Sequence, residues 1–256
     1  MIRTLVIRGM LAGIAAGLAA FLFAAAFGEP PVDAAIAVEA AGEAATHAAH
    51  GHEHEVVSRG VQSTAGLLTA TTAIGLALGC LVALVFAGVY GRVSSAGARA
   101  TALAIAAGGF VVFVLVPLTK YPPNPPAVGD PDTIGARTWL YFGLILTTVI
   151  ALAAAVQLAK RRAASWGTWN AALAGTALFL ALTAVAQVLL PAVDEVSAEF
   201  PAAVLWEFRL ASAGTQLVLW TTLGLAFGWA AERALAPQAA PGRRSRGRDA
   251  WTQSTV

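Results

Sequence analysis

The segment QSTAGLLTATTAIGLALGCLVALVFAGVY, from Gln62 to Tyr90, contains no charged side chain. It is longer than the ~20 residues that an α-helix needs to cross the ~30 Å hydrocarbon core of a bilayer. Backbone polar groups in lipid must be satisfied within the segment itself, which favours a helix over other structures. The segment therefore predicts a transmembrane helix.

Five further apolar runs have a comparable length, at roughly 5–27, 98–118, 138–159, 168–190 and 203–231. The composition agrees, since 58% of residues are hydrophobic, 12% are charged and the mean hydropathy is +0.71. A soluble domain carries about 25% charged residues. We predict an all-α, polytopic membrane bundle over residues 1–236, with about six transmembrane helices connected as three hairpins.

Glycines recur at every fourth position in three of these runs. The series are Gly9, Gly13 and Gly17, then Gly75 and Gly79, then Gly224 and Gly228. Small residues at this spacing let helix backbones approach closely, so the series predict helix–helix contacts. The alternative is that glycine and alanine are simply common in this chain.

The charges are divided between the two sides that six spans define. The near side, which carries the N-terminus, has 12 of the 16 basic residues, and the far side has the other four: Arg59, Lys120, Arg137 and Arg209. Of the 14 acidic residues, Glu232 and Asp249 are on the near side and the remaining 12 are on the far side. The positive-inside rule then makes the near side cytoplasmic, with both termini inside and three long connections outside.

The two ends of the chain allow other interpretations. The basic start, the apolar run and Ala24-Ala25-Ala26 resemble a signal peptide, although the run is longer than the usual ~7–15 residues. We favour a retained helix; cleavage would leave five spans.

Residues 237–256 contain GRRSRGR and are predicted to form a disordered cytoplasmic tail against anionic headgroups, or a plain topology signal.

All four histidines of the chain lie in HAAHGHEHE, from His47 to Glu55. The candidate metal ligands in and beside this segment, within the predicted external loop 28–61, are His47, His50, His52, His54, Glu43 and Glu53. A helix would place Glu43, His47, His50 and His54 on one face, and an extended chain would align His50, His52 and His54. Nitrogen and carboxylate ligands suit Co²⁺, Ni²⁺ or Zn²⁺, and the sequence does not select among them. The alternative is a solvated polar loop.

Ionisable and amide side chains within or beside the spans predict a polar path, because such groups are costly in lipid. They include Glu29, Gln62, Lys120, Glu207, Arg209 and Gln216. The alternative for each is interfacial capping or hydrogen bonding between helices. The stretch KYPPNPPAVGDPD, from Lys120 to Asp132, is predicted to be stiff and extended, because proline fixes its own φ and restricts the preceding residue.

A weak repeat accompanies the predicted hairpins. Arg59, Arg137 and Arg209 each lie near the far-side start of an even-numbered span, and a glycine follows five to seven residues later. Transporter folds often contain such repeats. We find no nucleophile triad, phosphate loop or paired-carboxylate site, so neither an enzyme nor a nucleic-acid-binding protein is expected.

Several segments together resemble the CbtA family, the probable cobalt transporter subunits of bacteria. They are FGEPPVDAAIAVEA, HGHEHE, VSRGVQSTAGL, KYPPNPPAVGDPDTIGART and LPAVDEVSAEFPAAVLWEFRLAS. The resemblance implies a multi-pass inner-membrane protein for cobalt uptake linked to cobalamin synthesis. It also implies a small, single-span, histidine-containing partner of the CbtB type, beside a possible homo-oligomer. The positions that match the family segments are Glu29, Glu39, Arg59, Gln62, Lys120, Tyr121, Pro125, Pro126, Asp194, Glu195, Phe208 and Arg209.

Our leading hypothesis is a subunit for uptake of a divalent metal, with no permanently bound cofactor. The external histidines would capture Co²⁺, and the ion would follow a path near Glu29, Gln62, Glu207 and Gln216. Ligation requires neutral imidazole, so capture should weaken below pH ~6. The alternatives are a metal-binding scaffold or sensor that does not transport, a membrane enzyme, and an efflux protein.

Overall fold

The computed structural model describes residues 2–46, 57–93, 95–126, 128–129 and 131–236. Over these residues the regular structure is helical, without strands. Six long helices follow one another along the chain. They are α1 (Ile2–Phe23, Ala24–Gly28 and Glu29–Thr46), α2 (Arg59–Val61, Gln62–Gly66 and Leu67–Val89), α3 (Ala98–Phe110, Val111–Leu115 and Val116–Lys120), α4 (Ile134–Trp166), α5 (Thr168–Leu189) and α6 (Ala202–Leu235).

All six helices are long and apolar enough to cross a membrane. The mean hydropathy of their most apolar windows lies between 1.3 and 2.4. These values confirm the predicted all-α fold with six spans. The tail, residues 237–256, and the histidine segment lie outside the described residues.

The first helix is longer than the sequence predicts. We expected a loop from Gly28, but α1 continues through Glu29–Thr46. Pro30 and Pro31 do not end the helix, because they lie in the first turn of the α-helical segment Glu29–Thr46, where proline is tolerated; the π-helical turn Ala24–Gly28 precedes this segment. The alanine-rich sequence beyond them favours a helix. This extension packs against α6, and its Pro31 and Ala35 are buried.

Only one of the three predicted hairpins consists of two helices that pack extensively against each other. The first hairpin, α1 with α2, is tightly packed. In the other two, the main partners are exchanged: α3 packs along α6, and α4 packs along α5. Helix α1 also packs against α6. The sequence gives the connectivity of three hairpins but not these lateral pairings.

The contact between α1 and α2 depends on glycine. A Cβ atom on Gly13 would lie 2.1 Å from the carbonyl oxygen of Gly75, and one on Gly79 would lie 2.1 Å from that of Gly9. A Cβ on Gly17 would meet the carbonyl oxygen of Thr71 at 2.5 Å. The glycine series therefore marks a real helix interface, as its spacing predicts.

The near-side half of the bundle is closed by a packed core. Phe86 of α2 and Phe227 of α6 are fully buried and meet edge to face, with ring centroids 5.3 Å apart. Tyr90 stacks on Phe86 at 4.9 Å, and Leu5 and Ala231 fill the space around them. The large cavities that we describe next lie in the far-side half.

Candidate functional site

Three helices depart from α-helical geometry in their far-side halves. The π-helical turns are Ala24–Gly28 in α1, Gln62–Gly66 in α2 and Val111–Leu115 in α3. Such turns are rare and are frequent at functional sites. None of the three π-helical turns was predicted from the sequence, in which only the glycines at the ends of two of them, Gly28 and Gly66, mark their positions.

The π-helical turns border a cavity of about 590 Å³, which we call cavity 1. Ala24, Gly28, Phe113 and Val114 contribute to it from two of the turns, and Leu67 directly follows the third. Its polar lining consists of Glu29, Tyr121, Tyr141, Ser212, Thr215 and Gln216. Cavity 1 therefore combines an apolar wall with a few polar groups, as ligand sites usually do.

Glu29 is the acidic residue of cavity 1. Its side chain is 18% exposed and forms an ion pair with Arg59 at the start of α2. The same guanidinium donates to Asp33 Oδ1 through Nη2 at 2.9 Å and Nε at 3.1 Å. Asp33 lies one helical turn beyond Glu29 and is 64% exposed. Arg59 thus joins α1 to α2 and balances one of two adjacent carboxylates at the edge of the cavity.

A second cavity of about 710 Å³, cavity 2, lies beside the first. Tyr121 and Tyr141 line both cavities. Cavity 2 carries three basic side chains and one acidic side chain: Lys120, Arg137, Arg209 and Asp194. The two cavities therefore differ in the sign of the charge that they present.

The connections over cavity 2 are held by hydrogen bonds to the same charged groups. Arg137 Nη1 pairs with Glu195 Oε2 at 3.0 Å, and Glu195 Oε1 accepts from Thr133 at 2.5 Å. Arg209 donates to Pro123 O at 3.3 Å and to Asn124 Oδ1 at 2.9 Å. The arginine near the start of α4 thus binds the connection before α6, and the arginine of α6 binds the connection before α4.

The described residues of the proline-rich connection form no regular structure between Tyr121 and Pro126, and a turn is closed by a bond from Val128 N to Pro125 O at 3.3 Å. Contrary to the expected extended chain, Pro131–Thr133 form a short helix. Tyr121 at the start of the connection donates to Pro191 O at 2.9 Å. Burial raises the pKa of the Tyr121 hydroxyl above its usual value. The group therefore remains a neutral hydrogen-bond donor at physiological pH.

The structure divides the predicted path residues. Glu29 and Gln216 come together in cavity 1, while Lys120, Asp194 and Arg209 line cavity 2 and Glu195 contacts it through Arg137. The remaining four line neither cavity: Glu39, Arg59, Gln62 and Glu207. Arg59 pairs with Glu29, Glu39 and Glu207 are exposed, and exposed Gln62 donates to Val57 O at 2.8 Å, a local contact at the start of α2.

Ser212 and Tyr141 were not predicted, although helical spacing points to both. Ser212 is three residues after Arg209 and four before Gln216, so the three share a face of α6. Tyr141 is four residues after Arg137 on α4. Adding the i+3 and i+4 neighbours of predicted residues would have found both.

The predicted metal ligands fall mostly outside the described residues. This is so for His47, His50, His52, His54 and Glu53, and Glu43 lies in the last turns of α1. Within the described residues, no group of three or more His, Cys, Asp or Glu side chains could hold a metal ion. The described part of α1 runs to Thr46, the residue before the first histidine in the sequence.

Six apolar helices around polar cavities define a multi-pass integral membrane protein. The family model described as "Probable cobalt transporter subunit (CbtA)" matches residues 2–232, and the chain belongs to this family. Comparison with curated proteins and with solved structures gave no match. Family membership supports a role as a subunit of a transporter rather than as an enzyme, with cobalt as the transported ion.

Proposed function

We propose that this chain admits Co²⁺ into the bacterial cell through cavity 1, after the ion is captured by the His/Glu segment at residues 43–55. The observation that carries the proposal is the position of Glu29. It places a carboxylate in a polar cavity at the level where three helices are π-helical. Carboxylate, hydroxyl and amide oxygens can replace part of the hydration shell of a divalent ion.

Arg59 makes the entrance responsive to a cation. Glu29 and Asp33 share one guanidinium, so the pair of carboxylates keeps a net negative charge. An arriving divalent ion competes with Arg59 for Glu29, and Arg59 can remain bound to exposed Asp33. In this proposal the ion pair closes the cavity to small monovalent ions, which compete less strongly than Co²⁺.

The extension of α1 supports a route from the histidines to cavity 1. Glu29, Asp33 and Glu39 fall on one side of this helix, within roughly 120° of its surface. Their carboxylates form an acidic track that ends at Glu29. An acidic surface raises the local concentration of cations. The histidine segment follows the far end of the same helix, so captured ions are released beside the track.

Gln216 and Ser212 extend the path beyond Glu29. Both lie on α6 and line cavity 1 with Thr215. The near-side core around Phe86 and Phe227 then stands between the cavity and the other face of the bundle. In the proposed cycle this core separates to release the ion into the cytoplasm, while the far side closes.

The proposal includes the inner membrane of a bacterium, cytoplasmic termini and an external histidine segment. The charge bias of the sequence supports this orientation. The family description as a subunit supports a partner, which we propose to be the small single-span CbtB-type protein. Ni²⁺ and Zn²⁺ suit the same ligands as Co²⁺, so they are tested beside it.

The test is uptake of radioactive cobalt by a transport-deficient bacterium at low metal concentration. The strains express the chain alone, the chain with a CbtB-type partner, or the His47/His50/His52/His54→Ala variant with that partner. We expect accumulation that rises with expression and falls in the variant at limiting metal. Cobalt binding with no accumulation in any strain, in spite of membrane insertion, would contradict uptake and favour a scaffold or sensor.

A further inference from the structure

Three of the four basic residues on the far side line the same cavity. Lys120 ends α3, Arg137 lies near the start of α4 and Arg209 lies on α6, and all three border cavity 2. The fourth, Arg59, belongs to the ion pair with Glu29. The far side is acidic as a whole, so this concentration of basic groups is unexpected on a surface that attracts cations.

The positive charge of cavity 2 is only partly balanced. Arg137 is paired with Glu195. In contrast, Arg209 donates to the neutral oxygens of Pro123 and Asn124, and Lys120 Nζ donates to Gln187 O at 2.7 Å. Within the described residues, neither Lys120 nor Arg209 has a carboxylate within 4.0 Å. Neutral acceptors position these cations without cancelling their charge.

Asp194 is the acidic side chain among the described residues that line cavity 2, but its residue is exposed to solvent. Screening by water weakens its effect on groups inside the cavity. Among the described residues, Lys120 and Arg209 are the lining bases without a carboxylate within 4.0 Å, and such groups favour an anion over a divalent cation.

We propose that cavity 2 binds a small oxyanion that carries carboxylate or phosphate groups. A guanidinium and an ammonium that line the same cavity supply N–H donors to such an anion, and charge-assisted hydrogen bonds are stronger than neutral ones. Thr138 and Tyr141 add hydroxyl groups to the lining. The same chemistry is offered by a free anion and by the headgroup of an anionic lipid. The proposal does not depend on cobalt uptake.

The test measures binding to the purified full chain in two arms. In the first, the protein in phosphatidylcholine nanodiscs is titrated with inorganic phosphate and with citrate by calorimetry. In the second, nanodiscs that also contain phosphatidylglycerol are used, and native mass spectrometry measures the lipid retained. Saturable binding in the first arm identifies a free anion, and selective lipid retention in the second identifies a headgroup.

The variants are Arg209→Gln and Lys120→Gln, with Arg92→Gln as the control. Arg92 is also an arginine that donates to backbone carbonyls, at 2.8 and 3.1 Å, but it lies on the near side. We expect each cavity variant to weaken binding by about tenfold or more, because a charged partner is lost. Arg92→Gln and the charge-preserving Lys120→Arg should bind as the wild type does. Binding absent from the wild type in both arms, or weakened equally by Arg92→Gln, would overturn the proposal.

Discussion

Glu29 in the first helix and Arg59 at the start of the second form an ion pair at the edge of cavity 1. The two residues are separated in sequence by the histidine segment, and the pair joins the middle of α1 to the far-side start of α2. It also places Glu29, the charged group among the described residues of the cavity 1 lining, beside a guanidinium that binds a second carboxylate, Asp33. The first predictions concern this cavity.

Replacing Gln216 by leucine should reduce cobalt uptake with little effect on folding. The two side chains have similar volumes, so packing is kept, while the amide is removed from the lining of cavity 1. Loss of one polar ligand should lower the rate of uptake at limiting cobalt by about tenfold, equivalent to ~1.4 kcal/mol. The control is Gln62→Leu, because Gln62 is exposed and its Nε2 contacts only Val57 O in a local bond. An equal effect of both substitutions would count against a path through cavity 1.

Because α1 and α2 contact each other through glycines, we predict that adding one methyl group at Gly13 lowers the stability of the protein. In Gly13→Ala the new Cβ would meet the backbone oxygen of Gly75, which cannot rotate away as a side chain can. We expect a loss of about 1–3 kcal/mol, which exceeds the ~1 kcal/mol that alanine gains in helix propensity. The melting temperature of the detergent-purified protein measures it.

Gly143→Ala is the matched control for this prediction. Gly143 lies within α4, and a Cβ there has no neighbour within 4 Å. Its melting temperature should be unchanged or raised. Equal melting of Gly13→Ala and the wild type would mean that α1 does not pack on α2 in this way, as would follow if the first helix were cleaved.

Sequence reasoning recovers the parts of this fold that local patterns encode. Apolar length gives the six spans, and glycine spacing gives the α1–α2 interface. The packing of α3 on α6 and of α4 on α5 could not be predicted, because lipid-facing and helix-facing residues are equally apolar. A leucine or valine in a span therefore does not indicate which helix it contacts. The continuation of α1 beyond Gly28 was also not predicted. Two prolines usually indicate the end of a helix, and no residue pattern predicts the π-helical turn that precedes them here.

The candidate site was also predicted only in part from the sequence. The sequence identifies Glu29, Arg209 and Gln216 as polar groups near membrane depth, but not which of them share a cavity. Which residues share a cavity depends on the rotation of each helix about its axis and on long-range hydrogen bonds, such as the one from Arg209 to Asn124 Oδ1. The repeat of Arg59, Arg137 and Arg209 was visible, and each of these arginines binds a far-side segment. Their acceptors lie 26 to 86 residues away in sequence and could not be deduced from it.

The pair Arg137–Glu195 should order the connection before α6. Glu195→Gln removes the charge that holds Arg137 and weakens the acceptor for Thr133. We expect faster amide hydrogen exchange over residues 191–201 by about threefold or more, since a charge-assisted bond contributes more than a neutral one. Glu199→Gln is the control in the same connection, because Glu199 is exposed. Unchanged exchange in Glu195→Gln would show that this ion pair does not hold the connection.

Capture by the histidine segment should depend on pH. Imidazole binds metal only when it is neutral, and its usual pKa is about 6.5. Affinity for Co²⁺ should therefore be nearly constant above pH ~7.5 and fall steeply below pH ~6. Equilibrium binding of Co²⁺ to the purified protein between about pH 5 and pH 7.5 measures the effect, with the His47/His50/His52/His54→Ala variant as reference. Affinity that does not change over this range would exclude imidazole ligation.

The most direct test of the central claim is cobalt uptake by Glu29→Gln, measured beside Asp33→Asn in the same strain with the same partner. Both substitutions remove one carboxylate that binds Arg59, but only Glu29 lines cavity 1. The account predicts that Glu29→Gln lowers uptake at limiting cobalt by about tenfold or more, and that Asp33→Asn lowers it by less than about threefold. Wild-type uptake by Glu29→Gln, with the protein verified in the membrane, would contradict the assignment of cavity 1 as the entrance for the ion.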